Sequence, residues 1–173
     1  GVNQTPISPV EWVNGNLNQT GSHYTEGDSV PYRVVLTNVV PAASYSVEVE
    51  WDIRFNSKNA IDYITGPQRI AETVDPLRGL GPMTLSYWSI PAPTDGTEGS
   101  PADIRNDSFT ALPNDNDNRS LWAYNVSTLS FSTYTNGSDV VANSSTSIVI
   151  TFTPTSDTVV LAWGGHIASQ EDW

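Results

Sequence analysis

Two imidazoles, His23 and His166, are the only side chains here whose ordinary pKa lies near neutrality. Glu26 follows His23 by three residues, so three ligand-type groups stand ready for a transition metal if the fold gathers them. The competing reading is local. His23 sits in a Ser/Thr/Gly turn and His166 follows Gly164-Gly165, settings where imidazole commonly donates to backbone carbonyls. A second set of ligand types is Asp103, Asp107, Asp115 and Asp117. The run Asn114-Asp115-Asn116-Asp117-Asn118 alternates oxygen ligands as calcium requires, without the glycine and terminal glutamate of an EF-hand. Calcium and a merely solvated loop both stand. Glu48 and Glu50 share one face of a strand. Their placement opposite apolar residues suits a solvated surface better than a glycosidase pair, which must flank a cleft. There is no Gly-X-Ser-X-Gly elbow and no cysteine, so the sequence offers no nucleophile of those kinds. The expectation is a protein that is not an enzyme and needs no cofactor, with calcium as the one candidate ion.

Six tryptophans and seven tyrosines raise a different chemistry, the stacking of sugar rings on aromatic platforms. Trp12, Trp88 and Trp122 are the candidates, and core filling is the alternative, because several tryptophans fall in phase with core positions. Asn-X-Ser/Thr sequons begin at Asn3, Asn18, Asn106, Asn118, Asn125, Asn136 and Asn143. Chance in a chain this rich in Asn, Ser and Thr gives about three, fewer than half the seven present. Seven such acceptors point to an extracellular glycoprotein. Asn125 reads as facing away from the core, where a glycan has room.

The elements that position these groups follow from size and pattern. At 173 residues the chain is one domain with room for a large core. Nineteen acids against seven bases give a charge of -12, which repels nucleic acid and anionic membranes. No apolar run reaches the ~18 residues that a membrane span needs. The chain starts at Gly1 with no charged, apolar leader, and we read it as a mature secreted form.

The clearest element is Tyr45–Ile53, where Tyr45, Val47, Val49, Trp51 and Ile53 alternate with Ser46, Glu48, Glu50 and Asp52. That period of two specifies a half-buried strand and its register. Val30–Val40 contains another strand, predicted to pair antiparallel with it through Pro41-Ala42-Ala43. Further strands are expected in Ala60–Ile64, Met83–Ile90, Ser120–Val126, Leu129–Tyr134 and Ser147–Thr153. Asn136-Gly137 reads as a hairpin with Asp139–Ala142 beginning the return. Thr158–Trp163 is nearly all apolar and so covered on both faces, with Gly164-Gly165-His166 following it. Pro91–Arg119 reads as a long acidic loop, and no segment shows capped helical periodicity. The fold class is therefore all-β: a single antiparallel β-sandwich, immunoglobulin-like or jelly-roll-like. Residues 1–11 form an extended N-terminal arm, since Pro6 and Pro9 forbid a helix, and residues 12–173 form the sandwich.

Three blocks together are distinctive: Trp12-Val-Asn-Gly-Asn-Leu-Asn18 with His23-Tyr24-Thr-Glu26-Gly27; Asn59-Ala-Ile-Asp-Tyr63; and Val160-Leu-Ala-Trp-Gly-Gly-His-Ile-Ala168. They resemble a group of largely uncharacterised secreted prokaryotic β-sandwich proteins. That resemblance implies the fold but supplies no catalytic residues. In overall profile the chain also resembles subunits of extracellular prokaryotic filaments, small cysteine-poor glycoproteins that exchange strands. This implies a structural, pilus-like role: a secreted subunit of a filament or cell-surface matrix whose partners are copies of itself, joined by β-strand addition. The arm before Trp12 is then the donor, with Val2, Ile7 and Val10 as pocket fillers. Pro6 and Pro9 each remove a ladder donor from it. The alternative is a carbohydrate-binding or adhesive surface module.

Overall fold

A computed structural model describes residues 5–15, 22–94, 96–135 and 137–169. Val2, Asn3, Asn18 and Asn136 lie outside the described residues. Among the described residues nine strands and one helix follow in chain order: β1 (Ser29–Thr37), β2 (Tyr45–Phe55), β3 (Lys58–Asn59), β4 (Ile61–Thr65), β5 (Leu85–Ser89), α1 (Pro101–Ala111), β6 (Ser120–Tyr124), β7 (Val126–Phe131), β8 (Ser144–Pro154) and β9 (Thr158–Ile167). They form two antiparallel sheets packed as a sandwich. One has the order β1-β9-β6-β5, with β4 also pairing β9; the other has the order β3-β2-β8-β7.

The alternation in β2 does what its chemistry dictates. Val47 lies opposite Ile150, Val49 opposite Ile148 and Tyr45 opposite Phe152, so one face of the β2–β8 pair is continuously apolar. Ile53, Ile148, Ile150 and Phe152 are at most 2% exposed. Each such side chain contributes about 1.5–3 kcal/mol by leaving water. On the opposite face, Ser147 and Ser145 hydroxyls donate to Glu48 Oε1 (2.7 Å) and Glu50 Oε1 (2.5 Å). Ser46 and Thr151 pair across the same face at 2.9 Å. The carboxylates are thus a hydrogen-bonded outer surface, as the pattern suggested.

The expected β1–β2 hairpin does not form. β1 pairs β9 in one sheet, and β2 pairs β8 in the other. The connection of 38–44 crosses between sheets instead, with Asn38 and Ala42 at positive φ (60° and 65°). It is held by Val39 N–H on the Asp157 carbonyl and Ala42 N–H on the Pro154 carbonyl. The β8–β9 turn makes the same crossing, so the two connections brace each other. A third crossing runs from β6 to β7 through Asn125, whose φ is 58°. Its backbone N–H donates to Thr84 O, its Oδ1 accepts from Thr84 N (3.2 Å) and its Nδ2 donates to Thr158 O (3.1 Å). Asn125 therefore faces inward, against its sequence reading, as a peg joining three segments.

Two further expectations are corrected. Pro91–Arg119 is not structureless: α1 occupies its centre. Ser100 Oγ accepts from Asp103 N–H, Pro101 starts the helix and Asp103 Oδ2 accepts from Gly99 N–H (2.7 Å). Only Phe109 of this helix is buried, so no apolar stripe advertised it. The last strand runs on to Ile167, with Gly164-Gly165-His166 inside it. A Cβ on Gly164 would lie 2.5 Å from Thr65 Oγ1 and 2.7 Å from Gly66 O. Glycine is what lets β1 and β4 flank this end of β9, a close approach that a side chain would block.

The β7–β8 connection also differs. β8 begins at Ser144, not within Asp139–Ala142. Residues of that stretch are held aside by Arg54, whose guanidinium donates to the carbonyls of Val141 (3.0 Å) and Asp139 (2.9 Å). Val159–Ala162 of β9 are fully buried, so both faces of that strand are covered, as their composition implied. The inner cover is the second sheet. On the outer face, Arg33 of β1 donates to Pro76 O (2.6 Å) and Arg78 O (3.0 Å) of the irregular 67–82 segment.

Candidate binding groove

The N-terminal arm lies on this outer layer. Val10 N–H donates to Thr73 O (2.9 Å), and Thr73 N–H donates to Ser8 Oγ (3.0 Å). Arg78 donates to the carbonyls of Pro9 (2.9 Å) and Val10 (3.1 Å). Val10 is 4% exposed, so this donor candidate fills a pocket of its own chain. Ile7 is 54% exposed.

Between the arm and β1 runs a groove of about 690 Å³. Trp12, Tyr24, Tyr32, His23 and Arg33 supply its aromatic and polar lining, and Ile7, Val13 and Val35 its aliphatic lining. The Arg33 guanidinium lies 4.7 Å from the centre of the Trp12 ring, and Trp12 Nε1 donates to Asp75 O (2.8 Å). These two contacts fix the indole plane. Tyr32 stacks with Trp163, its direct partner on β9, at 6.1 Å. Burial first, and then the charge of Glu72, pushes the Tyr24 phenol up to about 12. Burial raises Tyr32 as well and lowers Arg33. At neutral pH both phenols are therefore hydrogen-bond donors, beside an arginine that stays charged. The groove also follows an open edge: among the described residues, β1 pairs with β9 on one side and with no strand on the other.

The histidines find acids, and not the expected ones. His23 Nε2 lies 3.2 Å from Glu72 Oε1, not with Glu26. His166 Nδ1 lies 3.1 Å from Asp62 Oδ2, both almost fully buried, and the ring stacks on Tyr63 at 4.6 Å. Tyr63 in turn meets Ser108 Oγ at 2.9 Å and the edge of Phe109 at 5.4 Å. Sequence reasoning missed Asp62 and Glu72. An aspartate inside the apolar Ala60–Ile64 run was the available signal, since a buried carboxylate needs a partner.

The calcium candidates are not brought together. Asp103 caps α1, while Asp115 Oδ1 accepts from Asp117 N–H, Asn118 N–H and Asn118 Nδ2. The Asn118 side-chain bond is the main cause holding the Asp115 carboxyl below its usual range. Asp107 is exposed on α1. Among the described residues no three His, Cys, Asp or Glu side chains converge in a way that would hold a metal ion.

Of the three platform tryptophans, only Trp12 lines the groove. Trp88 packs against the core, and Trp122 Nε1 donates to Asn116 O (2.8 Å). Among the described sequons, Asn106 Nδ2 donates to Pro93 O (2.6 Å), Asn118 is tied to Asp115, and Asn125 to Thr158. Asn143 is exposed, with its Oδ1 accepting from Asn56 N–H (2.9 Å). Among the described residues no helix is long and apolar enough to cross a membrane. Comparison with family models, with curated proteins and with solved structures found no match.

Proposed function

We propose that this β-sandwich is a non-catalytic, secreted structural subunit that joins copies of itself by strand addition along β1, building an extracellular filament or surface matrix. The observation that carries the reading is the open edge of β1, nine residues long, beside the groove that Ile7, Val13 and Val35 line in part. An edge strand with its backbone groups unpaired is a ready template for another chain. The arm is the natural exchanged segment. Its contacts to Thr73 and Arg78 form equally well between two chains if the arm of one enters the slot of the next. Pro6 and Pro9 bring no N–H to a ladder, so the other arm residues make the pairing with β1 while the prolines only extend the segment. A head-to-tail exchange of this kind grows as a fibre when the rotation between neighbours does not close a ring.

Electron microscopy of native material tests this directly. Filaments are expected, and removing residues 1–11 should leave monomers that bind a synthetic peptide of that sequence. Filaments that persist after the truncation would sink the arm-exchange mechanism, and purely monomeric native material would sink the assembly role.

A second reading is favoured by one observation, the grouping of Trp12, Tyr24 and Tyr32 with Arg33 in the groove. Aromatic faces beside hydrogen-bond donors suit a sugar chain. A glycan array would report binding that Trp12→Ala and Tyr32→Ala weaken; no binding, or binding indifferent to both, removes it.

A further inference from the structure

The described sequons differ sharply in what their side-chain amides already do. N-glycosylation attaches sugar at Nδ2, so an acceptor needs that nitrogen free and facing solvent. Asn106, Asn118 and Asn125 are each partly buried and spend Nδ2 on a hydrogen bond inside the fold. Asn125 also spends its oxygen on Thr84. Asn143 is different: it is exposed, and its oxygen is held by Asn56 N–H, which leaves the nitrogen turned away from that bond.

The surroundings of Asn143 carry a second, independent observation. The 54–57 turn and the 139–143 stretch are tied together by Arg54 on the carbonyls of Asp139 and Val141, and by Ser57 N–H on the Ala142 carbonyl. This tip exposes Val140 at 89%, Phe55 at 57% and Val141 at 45%. Clustered apolar exposure on a chain of charge -12 calls for something that covers it. A sugar chain rooted at Asn143 lies in place to do so.

We propose that Asn143 carries the N-linked glycan among the described sequons, that Asn106, Asn118 and Asn125 are structural asparagines without sugar, and that the Asn143 glycan covers the tip of Phe55, Val140 and Val141. The proposal rests on the reading of the protein as secreted. The step is a glycosyl transfer. Asn143 Nδ2 bonds to the anomeric carbon of a polyprenyl-phosphate-linked sugar, the anomeric C–O bond breaks and the phosphate leaves with the electron pair. One amide proton passes to a base of the transferase. In the folded chain the sequon hydroxyl of Ser145 donates to Glu50 at an exposed position, so transfer needs only that surface bond to open.

Glycopeptide mass spectrometry of the full chain in its native secreted form tests this. Sugar at Asn143 and none at Asn106, Asn118 or Asn125 is expected. Glycans found elsewhere with Asn143 bare would overturn the proposal alone, and so would full occupancy at any of the three structural asparagines. All seven sequons bare would overturn the secreted-glycoprotein reading along with it. Asn143→Asp keeps the oxygen that Asn56 needs and removes the acceptor nitrogen. It should lose one glycan mass, keep its circular dichroism spectrum, and bind a hydrophobic dye more strongly. Adding Val140→Ser should reverse the dye signal. Loss of the glycan without a change in dye binding would refute the covering role.

Discussion

Replacing Asn125 by alanine tests whether a sequon asparagine is a glycan acceptor or a structural peg. The substitution deletes the Thr84 N–H to Oδ1 and the Nδ2 to Thr158 O bonds. Each contributes about 0.5–1.5 kcal/mol net. It also forces a Cβ without a local hydrogen bond into the left-handed region at φ 58°, which costs about 1–2 kcal/mol. Together the loss is about 3 kcal/mol, or roughly 6–12 °C in Tm for a domain of this size. Asn125→Gly loses the same bonds but relieves the backbone, so its loss should be smaller, about 2 kcal/mol. Ser127→Ala abolishes the sequon while leaving Asn125 intact, and removes only an exposed hydroxyl bond to Thr153 O (3.2 Å). It should cost less than about 1 kcal/mol. Urea unfolding of all three variants, with the wild-type m-value retained, reads these differences. Equal damage from alanine and glycine, an alanine cost under about 1 kcal/mol, or a Ser127→Ala loss that matches Asn125→Ala would show that Asn125 is not a structural peg.

Ile150→Ala, at a fully buried site between the sheets, should cost about 2–5 kcal/mol in the same assay, and a loss under about 1 would contradict the core described here. Asp62→Ala strands a buried His166 nitrogen and should cost at least about 1–3 kcal/mol; an unchanged urea midpoint would mean the pair contributes nothing. Burial pushes the Tyr24 and Tyr124 phenols up to about 12, above the ordinary 10 of an unfolded chain. The folded state therefore favours the neutral phenols. Their contribution is complete below pH 10 and is lost as pH rises towards 12, so unfolding should become easier across that window. Tyrosinate absorbance of the folded protein titrating entirely near 10 would refute this.

What the chain determined locally is its alternation and its punctuation. The period of two in Tyr45–Ile53 needs no partner to be read, because neighbouring side chains on a strand must point to opposite faces. The unbroken apolar character of Val159–Ala162 likewise announced a strand covered on both sides, and Gly66-Pro67 marked the end of β4. Even α1 had a local signature in Ser100-Pro101-Ala102-Asp103, overlooked because a helix that buries only Phe109 has no apolar stripe.

Which strands meet was not legible. β1 and β2 carry equally good strand patterns and a short connection, so a hairpin was the economical reading. Only packing of the two sheets sends that connection across the sandwich, beside the β8–β9 turn. The same is true of the histidines. His166 and Asp62 are 104 residues apart, and nothing in either local stretch encodes the other. Pairing is decided where β4 lies against β9, because two groups shut away from water must satisfy each other. The sequons make the sharpest case. Four Asn-X-Ser signals stand at Asn106, Asn118, Asn125 and Asn143, yet the fold draws three of those amides into its own hydrogen bonds. A local motif states what a side chain is able to accept; the tertiary structure decides whether its nitrogen is still free to do so.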